Sequence, residues 1–146
     1  MYWVGIKDGD PRAVALYRRH YSCRNPNVDY CRYGFSGKGE SMILLTLDCK
    51  ALWCWRLVKG DAVYCSVFHN ESNILSSELI SEADDLAFQR WPNVLHRTYV
   101  NARKIKSTNP GTCFIKAGWV RLKECTGKGL VILEKRCSQE VMELNI

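Results

Sequence analysis

The chain contains three histidines, and two of them stand beside other groups able to hold or move a proton. His20-Tyr21-Ser22 sets an imidazole next to a phenol and a hydroxyl, a combination that suits a general base or a metal ligand with polar partners. The same triplet also fits a helix end, where a histidine cation meets the dipole and a serine bonds the backbone. His69 and Asn70 open a second polar segment that runs through Ser72, Asn73, Ser76 and Ser77. There, small polar side chains at a helix start either bind an anion or cap the helix, and at least one is expected to cap. A third segment begins with Tyr99 and Asn101, continues through Arg103, Lys104 and Lys106, and reaches Asn109. Tyr99 offers a proton, and the three cations can neutralise phosphates around a pocket. Cys113 has no histidine close to it in sequence, which leaves it weak as a nucleophile.

These residues need elements to position them. Residues 1–6 read as a first strand, and Asp10-Pro11 as a capped helix start with proline at the first helical position. Ala13, Leu16 and Tyr17 then recur at helical spacing. Residues 22–41 show no period and are expected to form a long loop. Three apolar runs, 41–47, 51–57 and 63–68, are separated by short turns and predict three antiparallel strands. Leu79, Ile80, Ala83, Leu86, Ala87 and Arg90 predict a helix over 76–91, which Pro92 stops. A strand over 94–100, a short helix over 110–117 closed by Gly118, and a hairpin over 119–135 complete the order. The predicted class is α/β, a central mixed but mostly antiparallel sheet flanked by helices. Trp53, Trp55, Trp91 and Trp119 are expected in packing roles, whereas Trp3 and Tyr33 are left free for a ligand.

Composition sets wider bounds. With 146 residues, 47% hydrophobic and 25% charged, the chain is expected to form one domain over 1–146, with a frayed tail at 137–146. No secretory signal or long apolar run is visible, so a cytoplasmic setting without membrane contact is expected. The eight cysteines include no CxxC pair and are expected as thiols. A net charge of +6 is compatible with nucleic acid or with an acidic cofactor.

The element order resembles that of the GNAT acyltransferases. One local segment strengthens the likeness: Asn109-Pro110-Gly111-Thr112-Cys113-Phe114-Ile115-Lys116-Ala117-Gly118-Trp119 is similar to the family's run of Asn, short helix, aromatic and Gly-aromatic. The resemblance implies an acyl-CoA donor held by the segment from His69 to Ser77 together with Asn109. The chain departs from the pattern twice. The family's proton-donating Tyr is replaced by Phe114, and residues 69–77 contain no glycine. A narrower likeness joins Arg19-His20-Tyr21-Ser22, the serine-rich helix start and Tyr99-Val100-Asn101, which together resemble the phage Mom group. It implies a phage-type transferase that modifies adenine in DNA and so shields it from restriction. His20, Tyr21, Ser22, Tyr99 and Asn101 would then be catalytic, His20 doubling as a metal ligand. Arg19, Arg24, Arg103, Lys104 and Lys106 would hold DNA, and the donor would be acyl-CoA or an unusual small molecule, with or without a metal ion. The alternatives are an acyl-CoA-dependent N-acyltransferase acting on a small amine or protein, and a non-enzymatic GNAT-shaped binding protein.

Overall fold

The structure is a computed structural model that describes residues 1–104 and 111–136. In chain order the elements are β1 (Trp3–Ile6), α1 (Pro11–Arg19), α2 (Tyr30–Tyr33), β2 (Ser41–Thr46), β3 (Ala51–Val58) and β4 (Ala62–Asn70). They continue with α3 (Ser76–Arg90), β5 (His96–Val100), α4 (Thr112–Lys116), β6 (Val120–Cys125) and β7 (Val131–Lys135). The strands form one seven-stranded sheet in the order β1-β2-β3-β4-β5-β7-β6. β4 and β5 run parallel, because α3 crosses between them, and the other neighbours pair antiparallel. The expected mixed, mostly antiparallel sheet is therefore observed.

Alternation along the strands divides the core between the two sheet faces. Trp53, Trp55, Val63, Cys65 and Leu133 face α3 and α4, in a cluster that also holds Leu79, Ile80, Ala83 and Ala87. Leu52, Cys54, Ile43 and Leu45 meet Ala13 and Leu16 of α1 on the other face. Indole N–H groups fix α3 in place: Trp3 donates to the Leu79 carbonyl at 2.8 Å and Trp55 to the Ala83 carbonyl at 3.0 Å. Trp119 donates to Asp84 at 2.9 Å. Asp84 is 1% exposed and also takes bonds from His96 Nδ1 at 2.7 Å and Lys135 Nζ at 3.1 Å. One carboxylate thus joins α3 to β5, β7 and the residue before β6.

The four tryptophans expected in packing roles are all buried. Trp3, expected to be free, is 2% exposed and wedged against α3, so that expectation is corrected; Tyr33 is 70% exposed. The 22–41 loop carries the short helix α2, which the sequence reading missed. The loop is also tied down, since Asp8 accepts from Phe35 N at 3.0 Å and from Ser36 Oγ at 2.6 Å. The Asp10 cap and Pro11 at the helix start stand as expected, and so does Gly118, at φ +93° just past α4. All seven described cysteines are free thiols. No described helix is long and apolar enough to cross a membrane. The expected tail at 137–146 lies outside the described residues.

Candidate active site

β4 and β5 pair only over Val63–Cys65 and His96–Thr98, yet β4 runs on to Asn70 and β5 to Val100. The cause lies in β4. Its register with β3 passes from Val67 opposite Cys54 to Cys65 opposite Trp55, so Ser66 is an extra residue. Such a bulge leaves a residue out of the ladder and sharpens the local twist, which swings the rest of the strand away from its neighbour. A cleft of about 510 Å³ opens in the gap. Phe68, Val100 and Phe114 line it with apolar surface, Ser76 and Ser77 bring the start of α3 to it, and Lys116 adds a cation.

The amino end of α3 is not capped by a side chain. Its cap residue is Leu75, so the capping expected of Ser72, Asn73, Ser76 or Ser77 is corrected. Asn70 explains why. Its Nδ2 donates to Ser76 Oγ at 3.0 Å and to the Ile74 carbonyl at 2.9 Å, while its Oδ1 accepts from Ser72 N at 2.9 Å. Asn70 and Ser72 build the turn, and the backbone N–H groups of Ser76 and Ser77 have no partner among the described residues. A helix start of this kind attracts anions through free N–H groups and the dipole. No residue in 69–77 takes a positive φ, so the turn needs no glycine. Asn73 is exposed and points to no partner among the described residues.

His20 and Tyr21 reach the cleft from the end of α1, and Tyr99 reaches it from β5. His20 is 8% exposed; its Nδ1 accepts from Ser22 N at 3.1 Å and lies 2.7 Å from Ser22 Oγ. Burial, with the nearby His69 ring adding to it, brings the His20 pKa down to about 4. A neutral, hydrogen-bonded imidazole results, and it stacks on Tyr21 with ring centroids 4.3 Å apart. The Tyr21 hydroxyl meets the Asn101 backbone, so the end of α1 bridges to the residue after β5. Ser22 and Asn101 therefore support the rim without lining the cleft. Burial pushes the Cys113 thiol up, away from thiolate character.

Several predicted ligands are already engaged. Arg19 forks onto Glu71 at 2.7 and 3.0 Å, and His69 Nε2 lies 2.6 Å from the same carboxylate, which Arg19 and then His69 hold down at about 2. The charge of Arg19 is thus matched inside the protein, and His69 lies outside the cleft. Arg24, Arg103 and Lys104 are without an ion pair among the described residues. Among the described residues no group of three metal-ligating side chains exists around His20 or elsewhere. Lys106 and Asn109 lie outside the described residues.

The sequence reading missed Ser66, Phe68, Leu75 and Lys116 as cleft residues. It also missed a second recess of about 420 Å³ on the α1 face, lined by Arg56, Asp61, Tyr64 and Tyr99. The two cavities share Cys65, Ser66 and Tyr99, so they meet at the bulge. Only an odd residue in the β4 alternation hints at this, and it is invisible without the partner strand.

A sheet parted at its one parallel pair, with a bare helix start at the opening, defines the GNAT acyltransferase fold. The chain superposes on an acyl-CoA N-acyltransferase from Pseudomonas aeruginosa with a TM-score of 0.64 and 12% identity, covering 91% of this chain and 97% of that one. Escherichia coli ElaA superposes with a TM-score of 0.61 and 12% identity, covering 93% and 100%. No protein-family profile and no curated protein sequence matches the chain.

Proposed function

We propose that this chain is an acyl-CoA-dependent N-acyltransferase. The observation that carries this reading is the uncapped start of α3 facing the β4–β5 cleft, which Lys116 also lines. The Ser76 and Ser77 N–H groups and Lys116 take the pyrophosphate of the donor, and the walls of Phe68, Val100 and Phe114 take its apolar arm. The arm leads the thioester to the bulge, where the backbone N–H of the extra residue Ser66 polarises the carbonyl oxygen. Phe114 has no proton to give, and Tyr99, which lines both cavities, takes that role. Its hydroxyl gives a proton to the sulfur as the C–S bond breaks and the C–N bond forms. It recovers one from the attacking amine nitrogen.

Thermal unfolding with acetyl-CoA tests the reading. At a hundred times the dissociation constant a donor stabilises by about 2.7 kcal/mol, which raises the midpoint of a chain this long by roughly 5–10 °C. The shift is expected to vanish in Lys116→Glu. A wild-type midpoint that does not move, with no thiol released in the presence of any amine, sinks the reading.

A second reading, modification of a DNA base, is favoured by the exposed cations Arg24, Arg103 and Lys104 on the segments that flank the cleft rim. A new nucleoside mass in DNA from cells making the protein, lost in Tyr99→Phe, would place the acceptor there. An unchanged nucleoside profile removes it.

A further inference from the structure

We infer that the acceptor amine carries a carboxylate and that Arg56 binds it; this rests on the acyl-transfer reading of the cleft. The hydrogen bonds in and beside the second recess leave one charged group over. Arg97 donates to Glu134 at 2.6 Å, to Asp61 at 2.9 Å and to Tyr64 Oη at 2.7 Å. Tyr64 in turn donates to the other Asp61 oxygen at 2.6 Å. Asp61, Glu134, Arg97 and Tyr64 are thus committed to one another. Arg56 is different. It is half-buried, it lines the recess, and its side chain has neither an ion pair nor a hydrogen bond among the described residues. A half-buried guanidinium that lines a recess and holds no anion is free to take one from outside.

Position makes that partner part of the substrate. Arg56 lies directly across from Tyr64 in the β3–β4 ladder, and Ser66 follows two residues along β4. At about 3.3 Å per residue, the Arg56 backbone and the bulge lie roughly 7 Å apart along the strand, and the side chains of both positions line one recess. A molecule with an amine a few bonds from a carboxylate spans that gap, its acid on Arg56 and its nitrogen at the junction of the two cavities. Gly37 of the 22–41 loop lies beside this guanidinium, a Cβ there falling 3.5 Å from Arg56 Nη1. The planar fork suits a carboxylate, which it grips with two parallel bonds. A doubly charged phosphate would meet the Asp61 carboxylate with, among the described residues that line the recess, one uncommitted cation to balance it. The acceptors assigned are therefore amino acids or similar amino-carboxylates, with aromatic surface from Tyr64 and Tyr99 beside them.

The test offers acetyl-CoA with a mixture of free amino acids, then with the matching carboxamides, and reads N-acetyl products by mass spectrometry. Products from the acids and not from the amides are expected. Arg56→Met should cut transfer about 10- to 100-fold, the scale of a charged hydrogen bond, and Arg56→Lys should fall between the two. Both variants should keep the wild-type thermal shift with acetyl-CoA, because the donor lies in the other cavity. In nitrogen-labelled protein the Arg56 Nε–H resonance should move on adding the amino-acid mixture and stay put on adding the amides. If amides and plain alkylamines serve equally well, or Arg56→Met transfers at the wild-type rate, the carboxylate assignment falls while donor binding and transfer stand. If acetyl-CoA neither stabilises the protein nor yields product, the transfer reading falls and this inference falls with it.

Discussion

Lowering the pH from about 7 to about 4 should destabilise this protein through one imidazole. His20 is 8% exposed, stacked on Tyr21 and bonded to Ser22, with the His69 ring centroid 5.8 Å away. Burial first, and His69 second, lower its pKa from 6.5 to about 4. Between those values the unfolded chain takes up a proton that the folded chain refuses, so stability falls as the pH drops below about 6.5 and levels off below about 4. At about 1.4 kcal/mol per pH unit, the loss amounts to about 3 kcal/mol. That is a large share of the roughly 5–15 kcal/mol that holds a domain folded. Urea unfolding at a series of pH values, in the wild type and in His20→Gln, isolates this contribution, because every other titrating group is common to both. The wild type should lose about 3 kcal/mol more than the variant across that window. Parallel curves would show that His20 is solvated in solution and that the closed rim around Tyr21 and Asn101 does not persist.

Two further expectations concern the frame around the site. Asp84→Ala removes the acceptor shared by Trp119, His96 and Lys135 and leaves buried donors unpaired, so it should cost about 3–5 kcal/mol in chemical denaturation; a cost under about 1 kcal/mol would mean that the network is not formed. Gly118→Ala places a Cβ at φ +93°, where its nearest neighbours, Lys135 Cε and Nζ, are 3.6 Å away, so the penalty should be the backbone strain alone, about 1–2 kcal/mol of unfolding free energy in chemical denaturation.

Much of the frame was legible in the sequence because it rests on local rules. Asp10-Pro11 starts α1, Gly118 ends α4, and Trp53 and Trp55 fall on one face with Cys54 on the other. What escaped depends on contacts distant in sequence. Nothing near Arg19 announces Glu71, 52 residues away, and nothing near Trp3 announces the Leu79 carbonyl. The bulge is the costliest omission. Plain alternation from Tyr64 would set Ser66 and Phe68 on one face. The extra residue instead sends Val67 to the α1 core and turns Phe68 toward the cleft. His20, Tyr21 and Tyr99 were singled out by residue type and do share a cavity, but their order around it was not in the pattern.

Phe114 is the sharpest departure from the resemblance, and its surroundings show how transfer chemistry can survive it. The ring is 6% exposed and packs on Trp53, Phe68 and Trp119, with centroids 6.0, 6.1 and 5.0 Å away. It still lines the cleft, where Tyr21 and Tyr99 bring the phenols that it lacks. If Tyr99 returns the proton to sulfur, Tyr99→Phe should lower the rate of thiol release by about 100-fold or more while donor binding holds. Adding Phe114→Tyr to that variant then supplies a hydroxyl from another residue of the cleft wall, and part of the rate should return; in the wild-type background the same change should gain nothing. Denaturation of each protein separates chemistry from folding, since a hydroxyl driven into the tryptophan cluster would cost about 1–3 kcal/mol and show there. A Tyr99→Phe protein with the full rate, or a double variant with no recovery and unaltered stability, would refute the placement of the sulfur between these two rings.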